Sequence, residues 1–124
     1  MIYSTVPLLF DRMFPQTLRA TISLPSSKSI CNRALIIAAL SGKQTQLQNL
    51  SDCDDTRVLV RALQSEAEEI NIMAAGTAMR FSTAFFSTVS GTRIVTGTER
   101  MRQRPIGVLV DALRKLGAQI EYVD

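Results

Sequence analysis

The stretch VLVRAL at residues 58–63 recurs as VLVDAL at residues 108–113, which is 50 positions further along a chain of 124 residues. The Ser-Gly pair at residues 41–42 recurs at residues 90–91, at nearly the same spacing. Self-similarity at a fixed spacing is typical of a repeated supersecondary unit. The sequence therefore predicts two units within residues 27–124, each made of helix, strand, helix and strand.

Hydrophobic patterning and flanking Gly, Ser or Pro residues assign the elements of these units. Helices are predicted over residues 27–40, 51–63, 79–89 and 106–116. Strands are predicted over residues 17–24, 44–50, 69–73, 93–96 and 118–123. Because helices carry the chain from one strand to the next, the strands should pair in parallel. The predicted fold class is α/β, with repeated helix-strand-helix-strand units.

Two local patterns refine the predicted helices. Ser51 and Asp54 have the Ser-x-x-acid spacing of a helix start, so the second helix should begin with Ser51 as its cap. The last helix should bury one apolar stripe, made of Ile106, Leu109, Leu113 and Leu116.

Three segments place cations at or just before a predicted helix start. The first cationic segment is SKSICNR at residues 27–33, the second is AAGTAMR at 74–80, and the third is RMRQRPIG at 100–107. Free backbone N–H groups at a helix N-terminus carry partial positive charge, so added cations strengthen an anion site there. Eleven of the 14 basic residues are arginine, whose planar fork suits phosphate and carboxylate. The sequence predicts binding of small phosphorylated or carboxylated molecules.

Composition excludes several other classes of protein. With 46% hydrophobic and 20% charged residues, the chain can form one folded domain with a core. Histidine, the commonest general base and metal ligand, is absent. Cys31 and Cys53 lack the close spacing of a zinc or redox pair, so they are predicted to be free, partly buried thiols. We expect no metal, no cofactor, no membrane span and a cytoplasmic location.

Four segments resemble the 5-enolpyruvylshikimate-3-phosphate synthase family, also called the 3-phosphoshikimate 1-carboxyvinyltransferases. In chain order they are LPSSKSICNRALIIAAL, LSDCDDTRVLVRAL, AAGTAMRF and ERMRQRPIGVLVDALRKLGA. The resemblance implies transfer of the enolpyruvyl group of phosphoenolpyruvate to the 5-hydroxyl of shikimate 3-phosphate, with release of phosphate. This step belongs to the shikimate route to aromatic amino acids. Both substrates carry a phosphate and a carboxylate, which the cationic segments could bind by charge-assisted hydrogen bonds.

The resemblance also implies roles for individual residues. Lys28 would contact both substrates, while Ser29 and Arg33 would hold shikimate 3-phosphate. Gly76 and Arg104 would bind phosphoenolpyruvate. The expected reason for a glycine at position 76 is that an anion packed on backbone N–H groups leaves no room for a Cβ.

Two further positions are expected to support the site. Thr77 and Arg80 follow Gly76 in the second cationic segment. Many family members have Asn-Ala before this glycine, whereas Ala74 and Ala75 stand there in this chain, so no role is carried over to Ala74.

Family members have two domains of three repeats each. The resemblance implies that residues 1–26 form an N-terminal strand region and residues 27–124 about two repeats of one incomplete domain, with the second domain absent. It assigns no residue of this chain to proton transfer. We therefore expect a naturally or artificially truncated enzyme that is inactive alone, with uncovered apolar surface that favours self-association.

Three other functions stay open at this point. A relative of the UDP-N-acetylglucosamine enolpyruvyl transferase is disfavoured by the SKSxxNR and RPIG motifs. A basic nucleic-acid-binding domain is disfavoured because the chain has only five Phe and two Tyr and its cations form no continuous run. A folding unit without activity is the third alternative.

Several residues also have a purely structural interpretation. Ser29, Asn32 and Arg33 are predicted to share one face of the first helix, with Lys28 at its entrance. Lys28, Ser29 and Arg33 could form the solvated face of a helix, and Arg100 and Arg102 a solvated basic strand. Carboxylates at a helix start account for Asp52, Asp54 and Asp55 better than a metal cluster does. A helical core face accounts for Met79, Phe81, Phe85 and Phe86.

Overall fold

A computed structural model describes residues 21–42 and 46–123. In these residues the helices are α1 (Lys28–Leu40), α2 (Asp54–Gln64), α3 (Gly76–Phe86), α4 (Glu99–Arg102) and α5 (Gly107–Lys115). The strands are β1 (Glu69–Asn71) and β2 (Ile94–Thr96). This mixed composition confirms the predicted α/β class. The division of the chain into a strand region and two repeats stays a prediction.

The two strands form one parallel pair. Ile70 of β1 lies opposite Val95 of β2, and α3 carries the chain from one strand to the other. Beyond the ladder, the N–H of Ile72 donates to the carbonyl of Thr96 at 2.8 Å. The predicted parallel pairing is therefore confirmed, and α3 begins at the carboxyl end of β1.

The core lies where α2 and α3 pack against this strand pair. In α2, Val58, Leu59 and Ala62 share one helix face and are at most 5% exposed. Strand β1, helix α3 and the segment between them contribute Ile70, Ile72, Ala75, Ala78 and Met79 to the same buried cluster. Partly buried Phe81 and Phe86 pack against the cluster, as their placement on a core face predicted, while Phe85 is half-buried beside Phe86.

Three predicted strands do not form in the described residues. Residues 21–24, 46–50 and 118–123 have no strand structure, while residues 17–20 and 44–45 lie outside the described part of the chain. A strand needs a hydrogen-bonded neighbour, and the described sheet consists of β1 and β2. The last segment is instead tied to α5, because the Arg114 guanidinium donates to the carbonyl of Ile120 at 2.9 Å.

Helix boundaries also differ from the prediction. The second helix begins at Asp54 with Cys53 as its N-cap, and no side chain caps it. Ser51 is not the cap, because it is buried and its N–H donates to Cys31 Sγ at 3.2 Å. The third helix covers Gly76–Phe86 rather than residues 79–89, so the whole second cationic segment after Ala75 is helical.

The last two helices correct two further predictions. Val110 is the most buried residue of α5, whereas Leu116, predicted to join the buried stripe, is 85% exposed beyond the helix end. Arg100 and Arg102 lie on the short helix α4 rather than on an extended strand, because Arg102 pairs with Glu99 one turn earlier. Within the described ranges, no helix is both long and apolar enough to cross a membrane.

Candidate functional site

The first cationic segment forms the start of α1. Lys28 is the first residue of the helix, and Ser29 and Arg33 follow on an exposed face one turn apart. The Arg33 guanidinium donates to the carbonyl of Ser29 at 3.0 Å, so these two predicted ligands of shikimate 3-phosphate lie together. Their side chains face solvent, where an anion could reach both.

Lys28 is held by the neighbouring helix. Its Nζ lies 3.2 Å from Oδ2 of Asp55, the second residue of α2. The Lys28 side chain is 47% exposed and the Asp55 side chain 25% exposed. The contact brings the N-terminal ends of α1 and α2 together, so the positive ends of two helix dipoles lie beside the lysine.

A buried hydrogen bond fixes the same two helix ends. The Thr56 hydroxyl donates to Oδ1 of Asn32 at 2.8 Å, and the two residues are 1% and 0% exposed. The sequence placed Asn32 on one helix face with Ser29 and Arg33, but Asn32 is buried against α2 whereas the other two residues are exposed, so this prediction is wrong. Thr56 supplies a donor for the Asn32 amide oxygen, while the buried Asn32 Nδ2 has no hydrogen-bond partner among the described residues.

Two cysteines flank this hydrogen bond. Both are free thiols, as their spacing in the sequence predicted. Cys31 is buried in α1, and the thiol of Cys53 lies 3.2 Å from the Thr56 hydroxyl at the start of α2. Burial alone would raise the pKa of the Cys53 thiol, but hydrogen bonds with Ser51 and Thr56 lower it below its ordinary value. The start of α2 therefore stabilises negative charge on Cys53.

The second and third cationic segments meet at the start of α3. Gly76 is the first residue of α3, and Nη1 of Arg104 lies at the position that a Cβ on Gly76 would occupy. Arg80 reaches the same point, with Nη1 3.4 Å from the Gly76 carbonyl. Both arginines line one small depression together with Gly76, Met101 and Ile106.

The structure adds a second reason for the glycine. The Arg104 guanidinium takes the space beside Gly76 that a Cβ would need. A side chain at position 76 would displace that guanidinium. Gly76 thus allows Arg104 to approach the free N–H groups at the helix start.

Charge at this second location is unbalanced. In residues 21–42 and 46–123, neither Arg80 nor Arg104 has a carboxylate within ion-pair distance. Two guanidinium groups and a helix N-terminus repel one another unless an anion lies between them. The arrangement is therefore suited to bind a phosphate or carboxylate.

The structure joins some of the predicted residues and leaves others separate. Thr77 is half-buried in the first turn of α3. Over the described residues, no hydrogen bond or ion pair joins Lys28, Ser29 or Arg33 to Gly76 or Arg104. No group of three or more potential metal ligands is found in the same part of the chain.

Sequence reasoning missed two residues of this region. Asp55 was interpreted only as a helix-start carboxylate, although it pairs with Lys28. Asn32 was placed on the same helix face as Ser29 and Arg33, although it is buried. An asparagine within an apolar helix is a signal in itself, because its low helix propensity needs a compensating partner.

Comparison with known sequences now identifies the family. The sequence model of the EPSP synthase family, 3-phosphoshikimate 1-carboxyvinyltransferase, matches residues 14–66 and 60–124. These ranges cover nearly the whole chain. The chain belongs to the EPSP synthase family.

Individual relatives agree with this assignment. A 3-phosphoshikimate 1-carboxyvinyltransferase of Bacteroides fragilis strain YCH46 is 62% identical over 109 residues, covering 88% of this chain and 27% of the relative. The proteins of the same name from Vibrio vulnificus strain YJ016 and Sulfurovum sp. strain NBC37-1 are 41% and 40% identical, each over 83% of this chain and 30% of the relative. No solved structure matches. The chain spans about 27–30% of the length of these EPSP synthase relatives.

Proposed function

We propose that this chain supplies the shikimate 3-phosphate ligands and part of the phosphoenolpyruvate ligands of a 3-phosphoshikimate 1-carboxyvinyltransferase. The proposed reaction moves the enolpyruvyl group of phosphoenolpyruvate to the 5-hydroxyl of shikimate 3-phosphate and releases phosphate. Lys28, Ser29 and Arg33 bind shikimate 3-phosphate, and Lys28 also reaches phosphoenolpyruvate. Gly76 and Arg104 bind phosphoenolpyruvate, and Thr77 and Arg80 support them.

One observation carries this proposal. Arg104 lies against Gly76, which is 28 positions earlier in the chain, at the start of α3 and without a carboxylate partner among the described residues. A solvated basic surface does not require this convergence. A site that binds a carboxylated phosphate does, because each anionic group needs charge-assisted donors at a fixed position.

The proposed division of labour has a chemical basis. Each substrate carries several negative charges, and these must be offset before the two molecules can approach one another. Residues of this chain bind and orient the two anions. The family resemblance assigns no residue of this chain to proton transfer, so we propose that residues 1–124 bind substrate without turning it over.

The experiment titrates each substrate separately into the 124-residue chain by calorimetry. We expect Arg33→Ala to weaken shikimate 3-phosphate and Arg104→Ala to weaken phosphoenolpyruvate, each by about tenfold or more, because each change removes a charge-assisted hydrogen bond. Arg61→Ala, which removes an exposed arginine from α2, is the matched control and should leave both affinities unchanged.

The outcomes separate the possible explanations. A folded wild-type chain that binds neither substrate contradicts the proposal. Equal losses in all three variants would mean that the affinities report only net positive charge. Competition between shikimate 3-phosphate and UDP-N-acetylglucosamine for the same site would favour the related transferase instead.

The remaining partner and location assignments stay predictions. They comprise a cytoplasmic location, the absence of nucleic-acid and membrane partners, and self-association. Self-association draws support from exposed apolar side chains, since Ile30, Ile37 and Val108 are 70%, 68% and 89% exposed.

A further inference from the structure

The contact between Lys28 and Asp55 differs from the other ion pairs of the described residues. Those pairs join neighbours in sequence, such as Arg57 with Asp54, and their carboxylate side chains are 71–95% exposed. Asp55 is only 25% exposed, and its partner is 27 positions earlier on a different helix. Shielding from water strengthens this pair relative to the exposed ones.

We propose that Asp55 is a positioning residue that holds the Lys28 ammonium group ready for the anionic substrate. This inference rests on the proposed function, in which Lys28 contacts substrate. Asp55 itself is not assigned to substrate or to any chemical step. Its action is exerted entirely through Lys28.

Lys28 needs a positioning partner because its side chain is flexible and because the nearby helix dipoles repel its charge. A lysine stem has several rotatable bonds, and ordering them when a ligand binds lowers the affinity. Lys28 also lies beside the positive ends of α1 and α2, which repel a cation. Without a carboxylate at position 55, the ammonium group would move away from the helix starts where the substrate is proposed to bind.

The supporting structure makes this positioning effective. The buried hydrogen bond between Asn32 and Thr56 lies on the residue next to Asp55 and fixes α2 against α1. The Asp55 carboxylate is therefore attached to a fixed backbone. Arg33, in contrast, is oriented by the Ser29 carbonyl of its own helix and needs no partner on α2.

Removing the charge of Asp55 should change the affinity for the anion in an unexpected direction. By Coulomb attraction alone, removing a carboxylate beside an anion site raises the affinity for the anion. If Asp55 positions Lys28, removing its charge lowers the affinity instead. A substitution that only destabilised the fold would lower the affinity whether or not the new side chain carried a charge.

The test measures shikimate 3-phosphate binding to the 124-residue chain by calorimetry. Asp55→Asn, which keeps the shape and removes the charge, should weaken binding by about tenfold, the upper range expected for ordering one long side chain. Asp55→Glu should restore most of the affinity. Asp54→Asn is the matched control, because Asp54 lies in the same helical turn but is 95% exposed and pairs with Arg57.

A double-mutant cycle separates positioning from stability. In a chain that already carries Lys28→Ala, Asp55→Asn should cause no further loss of affinity and should tighten binding slightly, because only the repulsion between the Asp55 carboxylate and the anion remains. Additive losses would overturn the inference, and so would unchanged or tighter binding by Asp55→Asn, or a failure of Asp55→Glu to rescue. A folded wild-type chain that does not bind overturns the proposed function together with this inference.

Discussion

The two cationic locations of this chain are built differently. At the start of α1 each cation has a partner, since Lys28 pairs with Asp55 and Arg33 with the Ser29 carbonyl. At the start of α3, Arg80 donates to the Gly76 carbonyl as Arg33 does to that of Ser29, but neither Arg80 nor Arg104 has a carboxylate partner among the described residues. The first location is held by polar pairing, and the second depends on close packing of backbone.

The packing at the second location centres on Gly97. A Cβ at this position would lie 2.6 Å from the carbonyl oxygen of Met73 and 3.0 Å from Cγ of Met101. Met73 itself has a φ of 53°, in the left-handed region that non-glycine residues rarely adopt. The segments that carry Gly76 and Arg104 thus approach one another through a backbone contact that tolerates no side chain.

The largest expected effect therefore comes from filling this contact. We expect Gly97→Val to lower the free energy of unfolding by about 3 kcal/mol, because the Met73 backbone cannot move aside without disturbing β1. Urea denaturation monitored by circular dichroism measures the change in the free energy of unfolding. Gly107→Ala is the control, since the nearest atom to its Cβ is the Tyr122 hydroxyl at 3.8 Å, and its unfolding midpoint should change little. Equal stability of Gly97→Val and the wild type would show that the second location does not depend on this approach.

A smaller effect is expected from removing the polar link at the first location. Thr56→Val keeps the shape of the side chain but leaves the buried Asn32 oxygen without its hydroxyl donor, which should cost about 2 kcal/mol. Thr88→Val removes a hydroxyl that donates to the Phe85 carbonyl at an exposed site, where water can replace it. The same denaturation measurement should give about 0.5 kcal/mol or less for this control. Similar losses of unfolding free energy in the two variants would mean that burial of the hydrogen bond between Thr56 and Asn32 adds no stability.

Elements with a strong local signal were predictable from the sequence. The apolar spacing and the Ser-Gly stop predicted α1 almost to its ends, and Gly42 has the left-handed φ of 63° that such a helix end requires. The parallel pair β1 and β2 was predicted because helices separate its strands. The grouping of Gly76 with Arg104 came from the family resemblance rather than from their spacing.

Elements that depend on a distant partner were not predictable. VLVRAL and VLVDAL predicted equivalent helices, yet Val58 is 5% exposed on α2 and Val108 is 89% exposed on α5. The sequences agree, but α2 packs between α1 and α3 whereas the corresponding face of α5 has no such cover in the described chain. The side of a helix that becomes buried is decided by its neighbours, which the local pattern does not contain. The same reason explains why Asn32 was assigned to the wrong face.

The smallest expected effect concerns Cys53, which reports on the polar link at the first location. Hydrogen bonds with Ser51 and Thr56 outweigh burial and lower the pKa of this thiol, so its thiolate should form at a lower pH than that of an ordinary cysteine. Because the folded pKa lies below the unfolded value, the associated stability is present above the unfolded pKa and is lost as pH falls through the folded one. Iodoacetamide labelling against pH, read by mass spectrometry, should show Cys53 reacting before the buried Cys31.

The hydroxyl of Thr56 connects this measurement to the comparison of the two locations. Thr56→Val should raise the labelling midpoint of Cys53, because the single hydroxyl hydrogen of Thr56, which points to Asn32 while the thiol is protonated, can turn to the thiolate only if the hydroxyl is present. Thr88→Val should leave the midpoint unchanged. Cys53 labelling with an ordinary midpoint in the wild type would mean that the Thr56 hydroxyl does not turn to the sulfur. In that case Thr56 serves Asn32 alone, and the start of α2 is held by one hydrogen bond rather than by a connected chain of three polar side chains.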